Sequence, residues 1–391
     1  MPAHRGGRMA ARLKPHLLNA ALVVASVLLT YVLLEVAVFR VFLPFMPLKV
    51  RPDLPDRAEV LAQDSKRNYL PHDYIALLGD SYAEGRGDWL LEGGGNRNQP
   101  FHSADIIHEM TGRDVASFAR GGSGSAEGIV LRPARIFTST RCILFPEMEI
   151  PRQMFVYFYE GNDMEDNLRF LSGVREAYGR VDPETIDRYL NEYYAAENPW
   201  RCHLELVDTA TRMVGFLYQH YIAGLDVDYC GYNTRANRLV VGGHTVEAPA
   251  LQGPALALSD ENIQTGMEIL DHSLSWLERR FKDVPVTVVY VPSPLSAYRI
   301  AGEMEVYCGI PGITSTAGVA QSERNSDFMA DLVRKNAQTH GMDFMDARPA
   351  LRSAAALRVI HGPRDWDHLN EAGYRALGQL VASGVKASRS D

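Results

Sequence analysis

Hydrophobic and polar positions follow two periods along this chain. Leu17–Phe39 (LLNAALVVASVLLTYVLLEVAVF) is a predominantly apolar stretch whose one charge is Glu35. At about 1.5 Å rise per residue, a helix of that length crosses a hydrocarbon core of about 30 Å. From residue 74 onward, short apolar runs take turns with amphipathic stretches. Tyr74–Leu78 (YIALL), Asp114–Phe118, Met154–Tyr159 (MFVYFY), Val284–Val291 (VPVTVVYV) and Met342–Met345 read as buried strands. Residues 101–111 and 125–138 read as helices. Ile263, Met267, Leu270, Leu274, Leu277 and Phe281 recur at steps of four and three, one face of a further helix. A last helix follows Asn370, a good N-cap residue, with Ala372, Ala376, Leu377, Leu380 and Val381 inward. Buried strands alternating with helices predict an α/β fold, a three-layer sandwich on a mainly parallel five-stranded sheet with flavodoxin-like layering.

The same pattern divides the chain. Residues 1–40 form a basic head and a transmembrane anchor. Residues 41–72 contain Pro44, Pro47, Pro52, Pro55 and Pro71 and read as an extended linker. Residues 73–391 form the α/β domain. Its third and fourth strands lie roughly 120 residues apart, although a crossover needs only a few tens. The surplus, about 165–260, is expected as a mixed insertion beside the carboxyl ends of the strands. Within it, Arg238–Val241 and His244–Glu247 flank Gly242-Gly243 and read as a hairpin. Its tyrosines, Tyr189, Tyr193, Tyr194, Tyr218, Tyr221, Tyr229 and Tyr232, suit either stacking on a sugar or packing of the insertion itself.

Charge sharpens the anchor. Arg5, Arg8, Arg12 and Lys14 precede any acid, while the remaining 36 basic residues face 48 acidic ones. The basic head is expected to stay in the cytoplasm, placing everything after residue 40 outside it, in the periplasm of a bacterium. The long apolar region favours an uncleaved anchor over a cleaved signal. Glu35 either snorkels to the interface or meets another membrane protein. The scattered Lys and Arg give no basic patch for nucleic acid. Cys142, Cys202, Cys230 and Cys308 lack metal-ligand spacing, so no metal is expected; outside the cytoplasm they are either disulfides or buried thiols.

The candidate chemistry lies where strands end. In an open parallel sheet, ligands bind beyond the carboxyl ends of the strands. The first strand runs into Gly79-Asp80-Ser81-Tyr82, which exposes a serine there. The second ends in Ala119-Arg120-Gly121-Gly122-Ser123-Gly124, where glycine lets a backbone N–H approach a substrate oxygen. It follows the wrong strand for a dinucleotide fingerprint, and no nucleotide or other cofactor is expected. The third ends in Glu160-Gly161-Asn162-Asp163, whose asparagine amide can donate to the same oxygen. Asp365-Trp366-Asp367-His368 precedes the last helix. His368 supplies a base near neutral pH, and Asp365 can take its other ring nitrogen and fix the tautomer. Asp80, Tyr82, Asp163 and Ser293 are further candidates to line the pocket. Asp163, Glu165 and Asp166 suit a solvated acidic turn better than a cation site.

This ordered set resembles the SGNH (GDSL-type) hydrolases over roughly residues 73–170 and 284–386. Ser81 matches the nucleophile block, Gly122 the oxyanion glycine, Asn162 the third block, and Asp365 with His368 the last. Ser117 stands where the family often carries asparagine. The stretches 82–89 and 159–163 are similar to a membrane-anchored bacterial subgroup associated with envelope polysaccharides. The resemblance implies acyl transfer through an acyl-serine, with the amides of Ser81 and Gly122 and the Asn162 side chain holding the oxyanion. It implies an esterase removing acyl groups, acetyl foremost, from a saccharide or related envelope ester. The same residues would serve an O-acetyltransferase working with a membrane acyl-donor partner, and a non-catalytic glycan-binding scaffold is the rival from another class.

Overall fold

The computed structural model describes residues 6–37, 41–45, 54–88, 103–139, 148–196, 205–218, 236–302, 304–307 and 314–386. The four cysteines, and the side chains of Tyr193, Tyr194, Tyr221, Tyr229 and Tyr232, lie outside the described residues.

Five apolar runs form one parallel sheet: β1 (Ile75–Leu78), β2 (Val115–Ser117), β3 (Gln153–Tyr159), β6 (Val286–Val291) and β10 (Asp343–Asp346). Their order is β10-β6-β3-β1-β2, and every pairing is parallel. Side chains alternate across a strand. Ala76, Leu78, Val156, Phe158 and Val288 therefore enter one core beneath the helices Asp163–Tyr178, Asp260–Arg280 and Val319–Thr339. Ile75, Leu77, Phe155, Tyr157 and Val289 enter the other, beneath Ser103–Thr111, Arg348–Ala355 and Glu371–Ser383. The Asn370 side chain caps the last helix, accepting from Ala372 N at 3.0 Å and Gly373 N at 3.3 Å. The three-layer α/β sandwich read from the sequence is the observed fold.

The chain order reverses at β1. β2 lies on one side of it, and β3, β6 and β10 lie on the other. A crevice opens beyond the carboxyl ends of strands at such a switch point, and the loops after β1, β2 and β3 meet there. Gly79 makes this turn with φ +132°, where a side chain would strike the Tyr157 carbonyl.

Several expectations need correction. Residues 54–72 do not form a free linker. Asp56–Ala62 is a helix, and residues 63–65 then run along β2. Gln63 exchanges two hydrogen bonds with the Ser117 backbone at 2.7 and 2.8 Å. Ser65 does the same with Val115, at 2.8 Å each. β2 is an edge strand, and this segment covers its unpaired backbone groups. Glu59 pairs with the fully buried Arg132 at 2.6 Å. The insertion is not wholly peripheral either. Met164, Leu171 and Val174 of its first helix belong to the main core. Tyr189 packs edge-on against Phe170 and Tyr178. The predicted hairpin is present as β4 (Asn237–Val241) and β5 (His244–Ala248), joined by β7 (Arg299–Ile300) into a three-stranded sheet. β8 (Met304–Tyr307) and β9 (Thr314–Ala317) form a second hairpin that the sequence pattern did not predict. Residues 126–131 form a π-helical turn before the helix Arg132–Ser139.

That turn packs directly on the β1 loop. Gly79 N donates to the Gly128 carbonyl at 3.3 Å, and a Cβ at position 128 would lie 2.3 Å from Gly79 O. Overpacking of this kind costs about 1–3 kcal/mol. Gly128→Ala is expected to destabilise the protein by that amount in denaturant titration. An unchanged midpoint would show that the β1 loop and this turn are not rigidly packed.

Candidate active site

Ser81 opens a one-turn helix, Ser81–Glu84, immediately after β1. Asp80 is its N-cap, accepting from Tyr82 N at 2.9 Å. The Ser81 hydroxyl donates to Asp80 Oδ2 at 3.3 Å, a long contact that a rotation about χ1 breaks. No hydrogen bond joins Ser81 to His368 in this structure. The imidazole nevertheless lies beside the residue that follows Ser81 and within electrostatic range of the one before it. Its ring centroid is 5.7 Å from that of Tyr82, and its positive charge counters the burial that pushes the Asp80 carboxyl up to about 7.

His368 Nδ1 is 2.6 Å from Asp365 Oδ2. The other carboxylate oxygen accepts the backbone N–H groups of Asp367 (3.1 Å) and His368 (3.2 Å). Asp365 is only 1% exposed. Burial pushes its carboxyl up, but the charge and ring N–H of His368 and the two amides outweigh this and hold it below the usual carboxylate range. Burial pulls the His368 imidazole down, and Asp365 more than offsets this, so histidine titrates above its ordinary 6.5. With Nδ1 taken by the carboxylate, Nε2 remains the nitrogen that can accept a proton.

Gly122 adopts φ +74° with open space beside its Cα, so backbone conformation rather than crowding favours glycine there. Asn162 precedes the helix Asp163–Tyr178. One of its amide hydrogens goes to Asp166 Oδ2 at 3.2 Å, leaving the other available. Burial pushes Asp166 up to about 6. It is therefore ionised at neutral pH and fixes which way the amide points.

The four further pocket candidates turn out to lie beneath the site or away from it. Asp80, Tyr82 and Asp163 are buried and form its floor. The Tyr82 ring stacks on Tyr159 with centroids 4.1 Å apart, and its hydroxyl donates to Asp367 O at 2.6 Å. Asp163 accepts Tyr159 N at 2.9 Å, and burial and the charge of Asp80 push its carboxyl well above the usual range. Ser293 is fully buried and does not line a pocket: its N–H and hydroxyl both bind Glu160 Oε1, at 2.9 and 2.8 Å. His272 pairs with Asp187, and His340 bridges Asp271 and Glu278, so both are structural.

Two acids escaped the sequence reading. Asp88 accepts the N–H groups of Arg364 (2.9 Å) and Asp365 (2.5 Å), holding the loop that carries Asp365 and His368 to the segment that opens with Ser81. Glu84 accepts from Gly121 N at 2.5 Å and from Arg86 Nε at 2.9 Å, holding the Gly-rich loop to the same segment. Arg132 reinforces that loop by donating to Phe118 O at 3.2 Å and to Ala119 O. Their only signal was the position of Glu84 and Asp88 within the 82–89 stretch.

No family model and no curated protein matches the chain. Solved structures with a similar arrangement include a phospholipase A1 from Streptomyces albidoflavus NA297 (15% identity, 80% of this chain and 98% of that one, TM-score 0.38). Others are an acetyl-xylooligosaccharide esterase from Geobacillus (10%, 82% and 99%, 0.35) and a carbohydrate acetylesterase family member from Sinorhizobium meliloti (12%, 80% and 96%, 0.32).

Asp88→Asn turns one accepting oxygen into a donor facing an N–H. For the ester hydrolysis proposed below, where small misplacements of reacting groups cost up to about 100-fold, kcat on an aryl acetate is expected to fall by about 10- to 100-fold with KM little changed. A wild-type kcat in a folded Asp88→Asn protein would show that Asp88 does not position the loop.

Proposed function

We propose that the chain is a membrane-anchored serine esterase of SGNH type that removes acyl groups, acetyl foremost, from a saccharide or related envelope ester outside the cytoplasm. The observation that carries this reading is the 2.6 Å bond between buried Asp365 and His368, set against the turn that presents Ser81. The saccharide and the acetyl group rest on the motif resemblance. The location rests on the apolar helix His16–Ala37 and the basic residues before it.

In the reaction, the Ser81 hydroxyl rotates from Asp80 to His368 Nε2 and gives up its proton as its oxygen attacks the ester carbonyl. Asp365 keeps the imidazole in the correct tautomer and stabilises the imidazolium. The oxyanion is met by the N–H groups of Ser81 and Gly122 and the free amide hydrogen of Asn162. One such donor is worth on the order of 3 kcal/mol in the transition state. His368 then protonates the leaving alcohol, and the acyl-serine passes to water by the same steps in reverse.

Full-length protein is expected to release acetate from an acetylated glycan, to hydrolyse aryl acetates, and to be labelled by a fluorophosphonate. Ser81→Ala should abolish labelling and lower kcat by at least about 1,000-fold. Transfer of acetyl to a glycan hydroxyl without free acetate would overturn hydrolysis, and labelling that survives Ser81→Ala would overturn the nucleophile. The base works only when neutral, and its pKa is raised. Activity should therefore be lost as pH falls through a value above 6.5. A pH–kcat/KM profile flat from pH 8 to about 5 would contradict His368 as the base.

A further inference from the structure

The helix Glu205–Leu217 of the insertion has an apolar face that the other described residues leave uncovered. Val207 is 52% exposed, Val214 67%, Leu217 46% and Tyr218 57%. At 100° per residue, Val207, Val214 and Tyr218 fall on one line along the helix, with Leu217 beside it. Thr211 falls on the same line. Its hydroxyl donates back to Val207 O at 2.8 Å, so the stripe shows lipid or solvent only its methyl group. Thr209, on another side of the helix, is buried. Arg212 lies on the face opposite Val214 and is exposed.

What lies beside this stripe is the anchor. Glu35 is buried at the carboxyl end of the apolar helix, where Tyr31 Oη donates to its Oε2 at 2.8 Å and the N–H of Leu206 donates to the same oxygen at 3.1 Å. Neither sequence reading of Glu35 anticipated this: its carboxylate is held by its own chain. The bond joins the first turn of Glu205–Leu217 to a point two residues before the anchor's last residue, Ala37. His16–Ala37 has 22 residues, about 33 Å at 1.5 Å per residue, against a hydrocarbon core of about 30 Å. The bond therefore pins the second helix at the depth where hydrocarbon gives way to headgroups. Leu33 and Leu34 of the anchor, exposed beside that point, continue the apolar surface. A helix with one apolar and one charged face lies naturally in the plane of that boundary, and Tyr218 is a residue type favoured there.

We infer that Glu205–Leu217 lies in the outer interface of the bilayer, with Val207, Val214, Leu217 and Tyr218 among the lipids and Glu35 fixing its depth. The inference rests on the membrane anchoring in the reading above and is independent of the esterase chemistry. The catalytic domain would then be held at the membrane by two contacts, a spanning helix and an interfacial one. Its orientation to the surface would be set, where a single flexible tether would leave it free.

The test uses the full chain reconstituted in phosphatidylethanolamine–phosphatidylglycerol vesicles, with and without bromine atoms near the top of the lipid acyl chains. Val214→Trp is expected to show blue-shifted emission that the bromines quench, beyond the quenching of the parent's own tryptophans. Arg212→Trp, on the opposite face, should show no such excess. Adding Glu35→Ala to Val214→Trp should reduce the quenching while the protein still floats with the vesicles; unchanged quenching would overturn the role of Glu35. Equal quenching in Val214→Trp and Arg212→Trp would overturn the inference. So would a blue shift insensitive to bromine, which would mean that a second copy of the chain covers the face. A chain that fails to float with vesicles would overturn both this inference and the anchor, whereas aryl-acetate hydrolysis would stand or fall separately.

Discussion

The Asp365 carboxylate has almost no access to water. An isolated buried charge would take up a proton, so its ionisation depends wholly on the groups around it. Three donors meet it: the His368 ring and the N–H groups of Asp367 and His368. The dependence is mutual. The carboxylate keeps the imidazole in one tautomer and lifts its basicity, and the imidazole keeps the carboxylate charged. In the proposed reaction this pair is what would distinguish Ser81 from an ordinary hydroxyl at a helix start.

The segment Ser81–Asp88 carries the pair's alignment to the rest of the site. Through Asp88 it holds the backbone of Arg364 and Asp365. Through Tyr82 it reaches the carbonyl of Asp367, and through Glu84 the Gly-rich loop. Tyr374, on the last helix, closes the ring by donating to Arg86 O at 2.5 Å. The Gly-rich loop and the loop of Asp365 and His368 are thus fastened to the segment Ser81–Asp88 and not only to their own elements. The cover formed by residues 54–66 extends the same logic. It completes the edge of β2, and Glu59 with Arg132 steadies the carbonyls that lead into Gly122. Residues 54–66 are consequently built into the support of the candidate site.

The place of the candidate site was legible because parallel topology sends the ends of β1, β2 and β3, and with them Ser81, Gly122 and Asn162, to one edge. Asn370 as a cap and Gly242-Gly243 as a turn were legible because their causes are local. Asp88 was not, since its partners lie 276 and 277 residues away and a surface carboxylate looks the same in sequence. The cover over β2 was hidden for the same reason: Gln63 and Ser65 pair with backbone some fifty residues on, and prolines before them suggested an open chain. The helix Val319–Thr339 lacks a continuous apolar stripe because Ser322 and Ser326 occupy its inward face. Ser326 is made tolerable there by Glu160, which accepts its hydroxyl at 2.7 Å. Glu160 also explains why Ser293 is buried instead of lining a pocket.

Asp365 and His368 should titrate as one unit, and histidine titration followed by nuclear magnetic resonance tests this. With the resonance assigned through a His368→Gln spectrum, His368 should titrate above 6.5 in the intact protein. Its pKa should fall in Asp365→Asn, where burial is no longer opposed by a charge. A His368 that titrates at or below 6.5 and does not respond to Asp365→Asn would contradict the account.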